Sequence, residues 1–494
     1  MVLRKLLIPA TWLIVSLALL NCGGSSPSGT HTSGISYRAF VSNSVSAGTS
    51  IAGLYIVNAQ LDVHPPNVSA ISAGNNPGMM VLTPNRIATL VATNFNNGSN
   101  PPNPTYQVVI ISNTKETSTA TLTMPGYTES MVISPDSSTA FVAMPNAPVP
   151  NQSPGALELI SVGAGAFAGQ IDIPSVHYLS ITNGGSRLLA FSSTADTTDA
   201  PCSTAAPCFL YVVTPSNLGT SQPVFTAIPS NPSTNSLDHP VAAFFSSDDT
   251  TAYIINCGPE CGGTQASVQV FDMTTNTPGA SVPLPAASEA LLDGSTMYIA
   301  GTPYTSGPNG GPSQPCTGEV TAATTCGILT ILDLNSMQTV QPPNCASGQQ
   351  CPIIITDGYH NRIAMGPYGQ LYIGAGTCTE IVPPQPPPVG AEVRGCLSIY
   401  NSMSTAAGNV PPGGVVIPPA NGDVTGIQPI SSRNLVYLIQ GYPVPGGSLR
   451  IYCTTTNADL NCPATDALQI APTNEPSYAP LMVGNFFDVI TVDF

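Results

Sequence analysis

Residues 131–144 read MVISPDSSTAFVAM: an apolar run, a Pro-Asp-Ser-Ser turn and a second apolar run. Turn formers between two short runs of β-branched and aromatic residues specify a tight antiparallel hairpin. The pattern returns at Pro84-Asn85-Arg86, Asn183-Gly184-Gly185, Ser247-Asp248-Asp249, Asp293-Gly294-Ser295, Pro367-Tyr368-Gly369 and Ser431-Ser432-Arg433. After a loop of variable length comes a second hairpin, an apolar strand and then a Thr/Ser-rich return, as in residues 108–124 (VVIISNTKETSTATLTM) and 268–284 (VQVFDMTTNTPGASVPL). The large residue at the centre of each second strand is Phe40, Leu90, Phe141, Leu189, Tyr253, Tyr298, Tyr372 and Tyr437, a base period near 50 residues with insertions. Four-stranded units at this period bury their faces only against their neighbours, and a β-propeller stacks them in that way.

Composition agrees with an all-β chain. Of 494 residues, 51 are Pro and 45 are Gly, a density of helix breakers that leaves little room for long helices. Charged residues make up only 7%, with 10 Lys plus Arg against 26 Asp plus Glu. That scarcity argues against coiled coils, and the acidic sign against nucleic-acid binding. Hydrophobic residues at 42% still supply a sizeable core.

The SPDSSTAFVA hairpin and the Thr-rich hairpin that follows resemble the YVTN-type β-propeller repeat, related to lactonase-like and WD40-like propellers. The resemblance spans residues 36–494 and implies the fold far more than an activity. The first unit lacks a first strand, and the chain ends on an orphan strand, FFDVITVDF. If that strand fills the gap, the ring closes by mixing the chain ends and leaves no open edge. Eight blades are expected, seven being the count if one unit is an embellishment. A non-closed string of β-sandwiches is the alternative architecture.

The N-terminus reads as an export signal, with Arg4 and Lys5 ahead of an uncharged apolar stretch, residues 6–20, that is short for a membrane span. It ends Leu19-Leu20-Asn21-Cys22, which resembles a bacterial lipoprotein signal with Cys22 as the lipid-modified residue. Asn21 departs from the small residue usual there, and an ordinary secretory signal is the rival. By the same analogy Gly23 favours the outer membrane. The expected organisation is a signal over residues 1–21, a polar tether over 22–35 and one propeller over 36–494.

Of 13 cysteines, twelve lie beyond Cys22, and an even number in an exported chain implies disulfides. Nearest-neighbour pairing joins Cys202 with Cys208, Cys257 with Cys261, Cys316 with Cys326, Cys345 with Cys351, Cys378 with Cys396, and Cys453 with Cys462. Zinc at Cys257-Gly-Pro-Glu-Cys261 is the rival reading, although no second matched pair lies nearby. In a four-stranded meander, loops joining strands two to three and four to one share one face. Most of the expansion falls there, in residues 94–105, 145–155, 193–207, 257–266, 301–326, 374–395 and 440–447. Four of the six pairs sit in these loops, and Cys345 with Cys351 is expected in a four-to-one connection on the same side. This elaborated face is the expected working surface.

Haem-attachment, zinc-helix, nucleophile-elbow and phosphate-loop motifs are absent from the sequence. Glu129, His177, His239, Glu289, His360, Arg362 and Asp423 fall near the starts of innermost strands, where they would ring the channel mouth as a ligand site or an acid and base. The ring is compatible with a cation, and no cofactor is expected. Tyr304, Tyr359, Tyr368 and Tyr442 are candidates for a glycan or peptide surface. The sequence thus reads as a membrane-tethered binding module for a protein, glycan or small ligand, with a lactonase-like hydrolase or lyase and a structural envelope scaffold as the rivals.

Overall fold

The computed structural model describes residues 31–44, 52–74, 76–93, 105–198, 201–230, 237–304, 326–347, 351–380, 395–404, 410–418, 422–430, 433, 435–441, 447–453 and 482–493. They form eight antiparallel sheets arranged as the blades of a propeller. The described residues contain no α-helix, only three short 3-10 turns. Blade two shows the pattern: Met80–Leu82, Ala88–Thr93, Tyr106–Ser112 and Thr117–Met124 pair in sequence order from the axis outward. Blades three, four, five, seven and eight repeat it, starting from innermost strands Ser130–Ile133, Val176–Ile181, Pro240–Phe245, Tyr359–Met365 and Val424–Ile430. Blade six starts from Glu289–Asp293.

Blade one is built from both ends of the chain. Phe486–Thr491 pairs with Arg38–Asn43, which pairs with Gly53–Asn58, so the C-terminal strand is the innermost one. Innermost strands touch their neighbours all the way round, and the last meets both blade two and blade eight.

Period-two alternation explains why the blades are apolar on both faces. In blade two, Leu90 and Ile110 point toward blade three while Val91, Val109 and Ile111 point toward blade one. Each of the eight blade interfaces holds one apolar cluster. Polar residues are left to the outer strands and the turns. The first hairpin turns carry a left-handed residue, Arg86, Ser137, Gly185, Asp249, Gly294 or Gly369. In blade three, Asp136 accepts hydrogen bonds from Ser134 Oγ and from Ser138 N and Oγ, which close the turn and lower its pKa.

Four expected disulfides are bonded: Cys202–Cys208, Cys257–Cys261, Cys345–Cys351 and Cys378–Cys396. Cys326 is also disulfide-bonded, whereas Cys316, Cys462 and the Cys453 side chain lie outside the described residues. One placement differs from expectation. Gln338–Val340 and Ile353–Ile355 both pair with Gly327–Asp333, so Cys345–Cys351 closes an excursion within the outer edge of blade six. The Ile-Ile-Ile run re-enters the ladder because that edge still offers unpaired backbone groups.

The tether also differs in its last residues. Ser33 donates from N and Oγ to Glu116, and Thr32 Oγ1 donates to the Lys115 carbonyl. Residues 31–35 therefore lie against blade two. Beneath them Arg38, 1% exposed, forms a two-pronged bond to Asp493 at 2.7 and 2.8 Å and reaches Glu116 at 2.8 Å. Removing one partner of a buried ion cluster strands the others, at a cost of about 3–5 kcal/mol. Arg38→Ala is therefore expected to lower unfolding stability by that amount in a denaturant titration. A loss below about 1 kcal/mol, the ordinary worth of a surface ion pair, would contradict the clasp.

Candidate functional site

The disulfide loops build a pocket on the elaborated face. Its volume is about 280 Å³, and its lining is Glu260, Thr302, Tyr304, Asp357, Gly358, Tyr359, Thr377 and Thr379. Glu260 comes from the short 3-10 turn Gly258–Cys261, inside the ring that Cys257–Cys261 closes. Thr377 and Thr379 flank Cys378, which is bonded to Cys396. Asp357 and Gly358 end the connection from blade six to blade seven. Gly358 adopts φ 95°, and a Cβ there would meet the Gly376 carbonyl oxygen at 2.4 Å, so only glycine lets the two loops approach.

The carboxylates are held in different ways. Asp357, 6% exposed, accepts from Thr379 N at 2.8 Å and Thr379 Oγ1 at 2.6 Å. Glu260 Oε2 accepts from Thr302 N at 3.0 Å, while the buried Oε1 has the Ser288 hydroxyl as its neighbour. Burial pushes Glu260 up to about 8, against the opposing bonds from Thr302 N and the Ser288 side chain. That shift favours the protonated carboxyl near neutral pH. Tyr304 is raised by burial and by the negative fields of Glu260 and Asp357.

Tyr359 joins the pocket to the axis. Its hydroxyl lies 3.2 Å from that of Tyr178, three blades away, so the pair spans the central channel. Near this bridge, Glu129 bonds His177 Nδ1 at 2.8 Å, and burial with the Glu129 charge raises Tyr127 to about 12. Glu289 is raised to about 7 by burial, opposed by the Ala290 N–H and the attraction of Arg362. Arg362 also attracts the buried Asp488, and its Nε donates to the Thr425 carbonyl.

The seven residues expected at the mouth thus divide. Glu129 meets His177, and Glu289 lies in the field of Arg362. His239 turns to its neighbour Asp238, at 2.9 Å. Burial would raise Asp238, but bonds from His239, Thr264 and Gln265 outweigh it and hold the group at about 2. Asp423 is exposed and accepts from Thr377 N at 2.7 Å, fixing the loop beside the pocket. His360 departs most from expectation. It is 0% exposed, bonded to the Thr356 carbonyl and lowered to about 4 by burial, because a register shift in its strand turns it into the blade.

Neither Glu260 nor Asp357 stands out by motif. Glu260 shows itself only as a carboxylate locked inside a small disulfide ring. Of the loop tyrosines, Tyr304 and Tyr359 line the pocket, Tyr368 sits in a first-hairpin turn at the other end of blade seven, and Tyr442 lies outside the described residues. The sulfurs of Cys257 and Cys261 are bonded to each other, which leaves no thiolate for zinc there. The same holds for Cys378 and Cys396 beside Glu380.

The raised carboxyls set a pH dependence. Glu260 at about 8, with Glu289 and the buried Glu158 at about 7, all ionise less readily in the fold than in the unfolded chain. For these groups the unfolded chain binds fewer protons above pH 5; His360, lowered to about 4, opposes them up to about pH 6.5, so stability falls most clearly as pH rises from about 6.5 to 9. Thermal unfolding should show this slope, and Glu260→Gln should flatten its upper part. A wild-type stability that rises steadily across the range would refute the assignment.

The sequence matches no protein-family model and no curated protein. Among solved structures, dihydro-heme d1 dehydrogenase NirN in complex with DHE aligns with a TM-score of 0.54 at 11% identity, over 92% of this chain and 75% of that one. Hydrazine synthase of Kuenenia stuttgartiensis gives 0.47 at 12% identity, over 80% and 99%. The periplasmic gluconolactonase PpgL of Pseudomonas aeruginosa gives 0.39 at 14% identity, over 69% and 92%. The likeness to the first is one of fold alone, since a propeller hosts unrelated activities.

Proposed function

We propose that the chain is an exported binding propeller that presents its disulfide-stiffened loop face and takes a small ligand in the pocket of Glu260, Tyr304 and Asp357. One observation carries the reading: the pocket coincides with the disulfide loops Cys257–Cys261 and Cys378–Cys396, on the face where the loops are longest. Short disulfide rings contribute modestly to global stability, so their use here is to hold loop residues in place.

Export draws support from the oxidised cysteines, which persist outside the reducing cytosol. A lipid anchor at Cys22, directed to the outer membrane, draws on the Leu-Leu-Asn-Cys-Gly sequence alone. No helix among the described residues is long and apolar enough to cross a membrane. A hydrolase or lyase using the channel-mouth ring draws less support, because His239 and His360 are committed elsewhere.

A thermal-shift panel of amines, sugars, lactones and metal ions tests the reading. At a hundred times the dissociation constant a ligand adds about 2.7 kcal/mol, enough to move the midpoint by degrees. At least one compound is expected to stabilise the wild type and to lose most of that effect in Glu260→Leu or under reduction. If the shifts survive both but vanish in His177→Ala, the binding site is the channel instead.

A further inference from the structure

The two faces of the ring differ in more than loop length. The face opposite the long loops carries the first-hairpin turns and the turns between third and fourth strands. Four of the seven exposed large apolar side chains among the described residues collect there at the seam of blades one and two: Tyr37, Leu61, Val63 and Ile87. Leu61 and Val63 lie in the turn after Gly53–Asn58, and Leu61 is 63% exposed. Ile87, 55% exposed, ends the first-hairpin turn of blade two. Hydrogen bonds hold these segments side by side. The Tyr37 carbonyl accepts from Ala59 N, the Ile87 carbonyl from Asn113 N, and the Asn113 carbonyl from Arg38 Nη1. A lone exposed leucine needs no partner, but apolar side chains gathered in one place mark a contact surface.

Charge is sorted on the same face. Arg86, Lys115 and Arg433 border the apolar group: Arg86 donates to the Thr491 carbonyl, Arg433 donates to the Ala59 carbonyl, and the Lys115 carbonyl accepts from Thr32. The carboxylates beside them, Asp62, Glu116 and Asp493, are engaged with Arg433 and Arg38. Exposed Asp136, Asp248 and Asp293 stand instead on the turns of blades three, five and six.

The chain's own tether arrives here too. Residues 31–35 lie against the third-to-fourth turn of blade two, held by Ser33 on Glu116 and by Thr32 on the Lys115 carbonyl. His31 is nine residues beyond Cys22, a reach of at most about 30 Å. Climbing past a six-residue strand such as Arg38–Asn43 takes about 20 Å of that, before any long loop is cleared. A lipid on Cys22 therefore keeps the turn face nearest the bilayer. Held that close, a contact too weak to bind the free protein forms intramolecularly, at high effective concentration.

We infer that this face of blades one and two rests on the phospholipid bilayer in which the chain is anchored, with Leu61, Val63 and Ile87 at the acyl boundary and Arg86, Lys115 and Arg433 at the phosphates. The inference rests on the reading of Cys22 as the lipid-modified residue and adds the surface that the anchor lays on the membrane. Apolar side chains gain by leaving water there, and cations gain from anionic headgroups. The disulfide-stiffened loops then point away from the membrane, open to their ligand.

Trp12, the single tryptophan, lies in the expected signal, so the mature chain is blank for an indole reporter. Leu61→Trp, Ile87→Trp and Val340→Trp, the last an exposed site on blade six across the ring, are prepared as the full lipidated chain in vesicles of phosphatidylcholine and phosphatidylglycerol. Bromine on the acyl chains is expected to remove about half or more of the emission of Leu61→Trp and Ile87→Trp, as fits a depth of about 5–10 Å, and less than about a tenth for Val340→Trp. Adding Leu61→Asp to Ile87→Trp should abolish that quenching while the unfolding midpoint stays near that of the wild type. Introduced indoles that aqueous iodide quenches as fully on vesicles as in detergent would overturn the inference. So would indoles shielded from bromine and iodide alike, which would assign the patch to residues 454–481, the third-to-fourth connection of blade eight, outside the described residues. Mass spectrometry of the mature chain separates the two readings. Without acyl groups on Cys22 the anchor reading fails and takes the inference with it, whereas acylated Cys22 with indoles that bromine leaves unquenched overturns the inference alone.

Discussion

Everything in this molecule depends on closing the ring. Each blade is apolar on both faces, so a single unclosed interface would expose two hydrophobic sheets and a row of unpaired backbone groups. Closure joins residues far apart in sequence: Phe486–Thr491 hydrogen-bonds to Arg38–Asn43. The buried Arg38 then ties the last residues, through Asp493, to blade two through Glu116. A second latch acts between blades eight and one, where Asp62 accepts from the Tyr437 hydroxyl and pairs with Arg433. Charge is scarce in this chain, and several of its few charged residues stand at the seam, where a directional contact fixes register that apolar packing leaves loose.

A closed ring also decides which loops meet. Second-to-third strand loops of blades five, six and seven arrive side by side, with the blade six to seven connection between them. Carboxylates and threonines more than a hundred residues apart then line one cavity. Small disulfide rings hold the loops, and glycine at 358 lets them pack closely. At the axis the Tyr178 and Tyr359 hydroxyls meet, so the pocket and the channel share a wall.

Low charge density shapes the electrostatics of that site. Among the described residues few cations are available, so a buried carboxyl such as Glu260 is pushed toward its protonated form, or is held by hydrogen-bond donors, as Asp357 is by Thr379. Ser and Thr serve this second role throughout, closing the Asp136 turn and, through Ser246 and Thr250, the Asp248 turn. Where an arginine is available, as at Arg38 or Arg362, it is spent on carboxylates near the axis or the seam.

Much of this was legible in the sequence because it is local. A period-two apolar run with a turn former at its end dictates a hairpin wherever it occurs, so the four-stranded units and their inter-strand loops could be read directly. An orphan C-terminal strand beside an incomplete first unit gave the closure. Nearest-neighbour cysteine pairing followed from loop boundaries, though the Cys345–Cys351 ring moved to a blade edge because re-entry of Ile353–Ile355 depends on an open partner strand. The candidate site was far less legible. Strand starts placed Glu129, His177, His239, Glu289 and His360 near one mouth, but a one-residue register shift sent His360 into the blade. Sequence alone determined the four-stranded repeat and the loops that decorate one face, because those rest on periodicity and local turn chemistry, while the eight sheets of the structure decided between eight blades and seven. Tertiary structure decided the pocket, the state of Glu260 and the tyrosine bridge, because each depends on which loops the ring brings together and how far it shuts them off from water.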